Sequence, residues 1–470
     1  MDQVPDDVLL MILKNVDFAD ILSCRLACKR LEGLAKHHDV WRERHFDSRT
    51  ESGLASCGGN DTFCRWTCPV LRQAPVLESL LVATPALECS LLFTTRCAVH
   101  ELQIEVRPGG SLHAALAIRH QEALGRLRHL SLSFDRPDAG ADASILFETL
   151  AATSGLETLE ISGYPTCLPS ALSPHDCTVP RSALRSFSWN VAAQETAPHY
   201  NLVLARHATT LEEVGLTSYC ALGAVFASSP STAPLLAGTA NLRILSCPLL
   251  PGLPAVAGCK SLREVKLYVM PQTQPDLHGA REFLRSADQL NKVTLQYVRA
   301  VSADEEAAHL VTALASSGLS KLECLIICNE AAGGGGTASD FPQLLPLLSA
   351  LPSLSALRDL EVNTMIPDLL LGITPTTAPA LRSLKLRVFK FDSLPCIHSW
   401  THTDVIRSLL LANPSLELHL LCRPKYCPII KPCVLCSMGC QHRLWTSKDI
   451  STEELVDVIW VVVSQKHIDH

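Results

Sequence analysis

The residues best spaced for chemistry lie near the end of the chain. Cys433 and Cys436 form a CxxC, Cys440 follows them and His442 comes next, with Cys422 and Cys427 upstream. Thiolate and imidazole are zinc ligands, and tetrahedral sites draw them from paired positions. Here a second well-spaced pair is missing, so small apolar thiols that seal the end of a packed array explain the segment better than a metal does. Cys57, Cys64 and Cys68 have no matching His or Cys pair at all. The glycine run Gly333 to Gly336 is not followed by the Lys-Ser/Thr of a phosphate cradle and reads as a loop. GxSxG and HExxH are absent and the histidines show no helical pairing, so the expectation is a protein that is no enzyme and needs no cofactor.

Chemistry of that kind being absent, binding is the remaining class, and composition narrows it. In 470 residues, 47% are hydrophobic and the formal charge is −7, without a dense basic run interleaved with aromatics. Nucleic acid is therefore not the expected partner. Asp2, Asp6 and Asp7 occupy the place where an export signal would be positive, and the apolar run from Val458 to Val463 falls far short of the ~20 residues that cross a bilayer. A location in cytoplasm or nucleus follows, away from membranes and with the cysteines reduced.

A chain this long needs several domains or a repeat array. An L-x-x-L-x-L skeleton recurs as LRHLSL from Leu127, LETLEI from Leu156, LRSFSW from Leu184, LEEVGL from Leu211 and LRILSC from Leu242. It continues as LREVKL from Leu262, LNKVTL from Leu290, LECLII from Leu322, LRDLEV from Leu357 and LRSLKL from Leu381, with ragged copies at Val99 and Ser415. About twelve strands are expected, alternating with helical stretches such as DASILFETLAA and DEEAAHLVTALA. The fold class is therefore α/β, a leucine-rich-repeat solenoid with a parallel concave sheet.

Skeleton residues such as Leu130 and Leu132 point inward, and alternate strand residues point out. The outward set comprises Ser131, Glu160, Asn190, Thr217, Lys266, Tyr268, Thr294, Gln296, Glu361, Asn363, Lys385, Arg387 and His419. It is polar and mixed in sign. Interface energy concentrates in Tyr and Arg, so Lys266, Tyr268, Gln296, Lys385 and Arg387 are the candidate substrate contacts.

Ahead of the repeats, residues 4–16 place Val8, Leu9, Ile12, Leu13 and Val16 on one helical face, with Pro5 at a first-turn position and Asp6 and Asp7 opposing the dipole. Asp20 offers an N-cap for a second helix carrying Ile21, Leu22, Leu26, Leu31 and Leu34, and a third element ends at Val40 and Trp41. Three short helices bury little surface alone, which points to a partner or a neighbouring core. The expected organisation is a helical hook at 1–46, a linker and N-terminal cap at 47–75, repeats over 76–421 and a Cys-rich cap over 422–470.

The hook resembles the F-box through Pro5, Asp6, Val8, Leu9, Ile12, Leu13, Asp17, Asp20, Ile21, Leu22, Cys24, Arg25, Leu26, Cys28, Lys29, Arg30 and Trp41. It departs from that pattern at Val4 and Leu31, where the side chain stays apolar. Together with the repeats it is similar to the F-box proteins with leucine-rich repeats. The resemblance implies the substrate-recognition subunit of an SCF-type ubiquitin ligase, which binds a Skp-type adaptor and, through it, a cullin-RING ligase. It would place Pro5, Val8, Leu9, Ile12, Leu13, Ile21, Leu22, Arg25, Leu26, Cys28, Lys29 and Leu31 at the adaptor, leaving the repeats for a protein substrate. Two other readings stay open: an interaction or regulatory protein that holds the adaptor outside any ligase, and a zinc-bearing scaffold.

Overall fold

A computed structural model describes residues 4–48, 64–82, 90–134, 143–163, 182–190, 197–217, 229–269, 274–297, 305–316, 321–329, 344–363, 367–387, 403–422 and 459–463. The chain divides into two compact units, Met1–Asn241 and Leu242–His470.

The first unit opens with four helices: α1 (Asp6–Asn15), α2 (Phe18–Ala27), α3 (Lys29–Ala35) and α4 (His38–Trp41). The second helix expected from sequence is broken in two. Cys28, with an extended backbone, ends α2 and starts α3, its Sγ accepting from the Leu31 N–H at 3.5 Å. Its first turn is capped by Asp17 and not Asp20: the Asp20 N–H donates to Asp17 Oδ1 at 2.8 Å. Helix starts at Phe18 because that ring belongs to the core, 5.9 Å from Trp41 and 5.3 Å from Phe46 between ring centroids.

After α4 come β1 (His45–Asp47), α5 (Cys64–Gln73), β2 (Val76–Val82), β3 (Ala98–Val106), α6 (Ser111–Ala123), β4 (His129–Phe134) and α7 (Ala143–Ala152). The unit ends with β5 (Thr158–Ser162), β6 (Ser186–Asn190), α8 (Ala197–His207), β7 (Glu213–Thr217) and α9 (Thr232–Ala237). Strands β1 to β7 pair in chain order, all parallel. Their register is unshifted: Phe46, Leu80, Leu102, Leu130, Leu159, Phe187 and Val214 form one inward row. Beneath it Phe147 of α7 stacks on Trp189 with centroids 5.1 Å apart. Parallel strands with helical returns must be buried on the helix side, which is why every second strand residue is apolar.

The second unit holds β8 (Ile244–Pro248), β9 (Glu264–Val269), α10 (Gln274–Ser286), β10 (Lys292–Tyr297), α11 (Glu305–Ser316), β11 (Cys324–Asn329), α12 (Leu345–Ala350) and β12 (Asp359–Val362). It continues with α13 (Pro367–Gly372), β13 (Ser383–Arg387), α14 (Asp404–Ala412), β14 (Glu417–Cys422) and β15 (Ile459–Val463). β8 to β14 are parallel in chain order, and β15 closes on β14 antiparallel. Leu245, Val265, Val293, Leu325, Leu360, Leu384 and Leu418 repeat the inward row.

One backbone bond recurs between turns. The N–H after each leading Leu reaches the carbonyl of the equivalent residue one turn back, as in Glu157 to Arg128 (2.8 Å), Glu212 to Arg185 (2.8 Å), Asn291 to Arg263 (2.9 Å) and Arg382 to Arg358 (2.8 Å). The molecule is therefore mixed α/β with a repeated parallel-strand arrangement. Strands exceed the expected number, since β1 and β2 precede the first recognised skeleton and β15 follows the last. β1 runs across the expected boundary at 46 and pairs with β2 as the first strand of the first unit's sheet, while residues 49–63 of the expected linker lie outside the described residues.

Candidate protein-docking surfaces

The helical hook keeps its shape through a small core and a polar clamp. Leu9, Leu13, Phe18, Ile21, Leu22, Leu31, Ala35, Val40 and Trp41 are buried, and Trp41 Nε1 donates to the Ala35 carbonyl at 2.6 Å. Arg30 Nε donates to Asp6 Oδ1 at 2.8 Å, tying α3 to the start of α1. Arg44 donates to the carbonyls of Leu13 (2.7 Å), Val16 (2.8 Å) and Val40 (2.7 Å), satisfying acceptors that α1 and α4 leave open at their C-terminal ends. Burial lowers the Arg44 pKa, with Asp17 opposing that shift.

This core sorts the residues that sequence had grouped together. Leu9, Leu13, Ile21, Leu22 and Leu31 face into the hook. Val8 and Arg25 are half-buried, while Pro5, Ile12, Leu26, Cys28 and Lys29 are exposed. Ile12 is 52% exposed and Leu26 78%, and Met11, which sequence reasoning passed over, is 58% exposed. These three large apolar side chains stand open to solvent on the hook while its core is closed.

In the second unit Lys292 pairs with Glu264 at 2.9 Å, which raises the Lys292 pKa. Lys266 Nζ lies 4.8 Å from the centroid of the Tyr268 ring. Tyr268, read from sequence as an open contact, is only 9% exposed, and Glu361 and Asn363 are buried as well. Alternation sets direction but not exposure, and long neighbours on adjacent strands cover a side chain that points out. Lys266, Tyr268 and Gln296 share adjacent strands β9 and β10. Lys385 and Arg387 sit on β13, four strands from β9 and thus roughly 19 Å away, so the five do not form one cluster. Beside Lys385, His419 has its pKa lowered by burial first and by that lysine second.

Cys427, Cys433, Cys436, Cys440 and His442 lie outside the described residues, as does the glycine run. Among the described residues one group has metal-ligand spacing, His37, His38 and Asp39. It works as a helix cap: His37 Nδ1 accepts from the Asp39 N–H at 3.3 Å, and Asp39 Oδ1 faces Arg42 at 3.4 Å. Cys97 and Cys247 are buried, and burial pushes both thiols up to about 12, so they pack as small apolar groups. No described helix is long and apolar enough to cross a membrane.

Comparison with known families agrees with the hook. Residues 1–47 match the F-box-like family, and the chain therefore carries an F-box-like domain at its N-terminal end. No curated protein matches the chain. The matched segment ends at Asp47, the last residue of β1, so the family's boundary takes in the strand that joins the sheet.

Proposed function

We propose that this chain is the substrate-recognition subunit of an SCF-type ubiquitin ligase. Its F-box-like domain docks on a Skp-type adaptor and thereby on a cullin-RING ligase. The strand and helix array, read as a leucine-rich-repeat solenoid, holds a protein substrate in cytoplasm or nucleus. The observation that carries this reading is an F-box-like domain with Met11, Ile12 and Leu26 open to solvent around an intact core. The subunit performs no chemistry. It holds a substrate lysine close to a charged ubiquitin-conjugating enzyme, and raised effective concentration is its whole contribution to rate.

The adaptor surface in this reading is the exposed part of the family-derived set: Pro5, Ile12, Leu26, Cys28 and Lys29, with Met11 added. Leu9, Leu13, Ile21, Leu22 and Leu31 support it from within. Co-purification of the full chain with a Skp-type adaptor tests this. Ile12→Asp with Leu26→Asp is expected to weaken adaptor binding by roughly thirtyfold or more, the scale of a lost interface hot spot, with thermal unfolding unchanged. Leu13→Asp, a charge placed at a site 2% exposed, is expected to unfold the hook instead. Adaptor binding by the double variant at wild-type affinity would sink the reading. Substrate-receptor function further requires that blocking the cullin raise the abundance of a protein captured by the repeats. Unchanged abundance would favour an adaptor-binding protein that works outside a ligase.

A further inference from the structure

Between Lys36 and Lys260 the chain holds fifteen arginines and no lysine, whereas the rest of it holds thirteen lysines and twelve arginines. The first unit, which ends at Asn241, therefore carries lysine on the hook alone, at Lys14, Lys29 and Lys36. A general preference for arginine would show in both parts of the chain, and it does not.

Bonding explains some of these arginines. Arg44 reaches the carbonyls of Leu13, Val16 and Val40. Arg126 spans the Arg42 carbonyl at 3.2 Å and Glu78 at 3.0 Å, and Arg128 donates to the Gly125 and Leu127 carbonyls at 3.3 and 2.8 Å. A guanidinium fork serves several acceptors at once, and a compact ammonium does so poorly. Bonding does not explain the others. Arg72, Arg96, Arg107 and Arg119 are exposed, and their side chains have no hydrogen bond or ion pair among the described residues. Lysine carries the same charge on a stem of similar length, so nothing in the packing selects arginine at these four positions.

What separates the two side chains is nucleophilicity. A lysine ε-amine, with an ordinary pKa of about 10.4, can lose its proton, whereas a guanidinium at about 12.5 or above stays charged. In ubiquitin transfer the neutral amine attacks the thioester carbonyl that joins the ubiquitin C-terminus to a cysteine of the conjugating enzyme. An amide C–N bond forms, the C–S bond breaks, the sulfur leaves as thiolate and the amine's proton passes to solvent. A receptor that holds the charged enzyme at raised effective concentration exposes its own amines to the same reaction. Because β1 joins the hook directly to β2, the first unit's sheet stays beside whatever the hook binds. We propose that the first unit is kept free of lysine beyond the hook so that it offers no ubiquitin acceptor beside the ligase, leaving transfer to the bound substrate. This deepens the receptor reading above and rests on it.

The test assembles the full chain with a Skp-type adaptor, a cullin-RING ligase, a ubiquitin-conjugating enzyme and ubiquitin. Every form of the chain carries a flexible Gly-Ser-Lys tail after His470 as an internal acceptor. Arg72→Lys, Arg107→Lys and Arg119→Lys are combined in one variant. Arg285→Lys, Arg358→Lys and Arg407→Lys, at exposed positions of the second unit, form the matched control. Mass spectrometry locates the modified lysines, and initial rates are read on gels. The first variant is expected to modify itself roughly fivefold or more faster than the parent, at the three new lysines, with adaptor affinity and melting temperature unchanged. The control, in a unit that already carries lysine, is expected to stay near the parent's rate. Modification of the tail with none at the three new lysines would overturn this inference alone, as would an equal gain in the control. A chain that does not bind the adaptor, or whose tail stays unmodified, ends the receptor reading and this inference with it.

Discussion

Deleting residues 1–47 is expected to yield an aggregating, destabilised protein and not a free repeat body. Phe46 of β1 lies opposite Leu80 of β2, and the His45–Asp47 strand covers the Ser79–Leu81 edge. The Glu78 N–H also reaches the Arg44 carbonyl at 2.9 Å, and so does the Ser79 N–H at 3.3 Å. Removing the segment strips a terminal cap from a stacked array and opens a strand edge rich in leucine. The loss combines a buried aromatic residue at about 1.5–3 kcal/mol with several paired backbone groups at about 1 kcal/mol each. A total near 5 kcal/mol lowers the melting temperature by roughly 10 °C or more. Size-exclusion chromatography and thermal unfolding read this directly. A monodisperse truncation that melts with the full chain would show that the hook is an appended module. The consequence for adaptor work is practical: truncation confounds lost binding with lost folding, whereas Ile12→Asp with Leu26→Asp separates them.

Much of this architecture was legible in the leucine spacing, because an inward row that repeats at every turn leaves its mark on each strand. Two strands escaped for different reasons. In β2 the inward residues are Leu77, Leu80 and Val82, the same skeleton with a valine in its last place. The same valine ends LRDLEV from Leu357, so the β2 signal was legible and went unread. β1 is three residues long with Phe46 alone pointing inward, and no period can be read from one apolar residue. The hook shows a different limit. Helical periodicity groups Ile12 and Leu13 together as apolar neighbours, but only the packed structure shows that Leu13 closes on the core while Ile12 stays open. Tyr268 makes the reverse point: strand alternation aims it outward, and the neighbours around it on the sheet face leave little of it exposed.

Mild acid is expected to destabilise the first unit through two buried histidines, and His199→Phe is expected to remove about half of that effect. His199 on α8 is fully buried, its ring centroid is 4.4 Å from that of Phe147, and neither ring nitrogen has a hydrogen-bond partner. Burial lowers its pKa to about 4. His207, at the end of the same helix, has Nδ1 2.6 Å from the Ser182 hydroxyl, and burial takes it to about 4 as well, with the Leu150 backbone opposing and Arg206 reinforcing. An unfolded histidine takes up its proton near pH 6.5, and these two do so only near 4 when folded. Between those values the unfolded state holds more protons, so stability is full above pH 6.5 and falls as the pH drops toward 4. At about pH 5 the linkage amounts to about 2 kcal/mol for each histidine, before most carboxylates titrate. Phenylalanine keeps a ring packed against Phe147 and removes two unpaired nitrogens, which stabilises the neutral-pH protein by about 1 kcal/mol. Urea unfolding followed at about pH 7.5 and about pH 5 should show the wild type losing about 4 kcal/mol and the variant about 2 kcal/mol. If both lose the same amount, His199 is not the buried neutral group described, and solvent or a neighbour must already satisfy its ring.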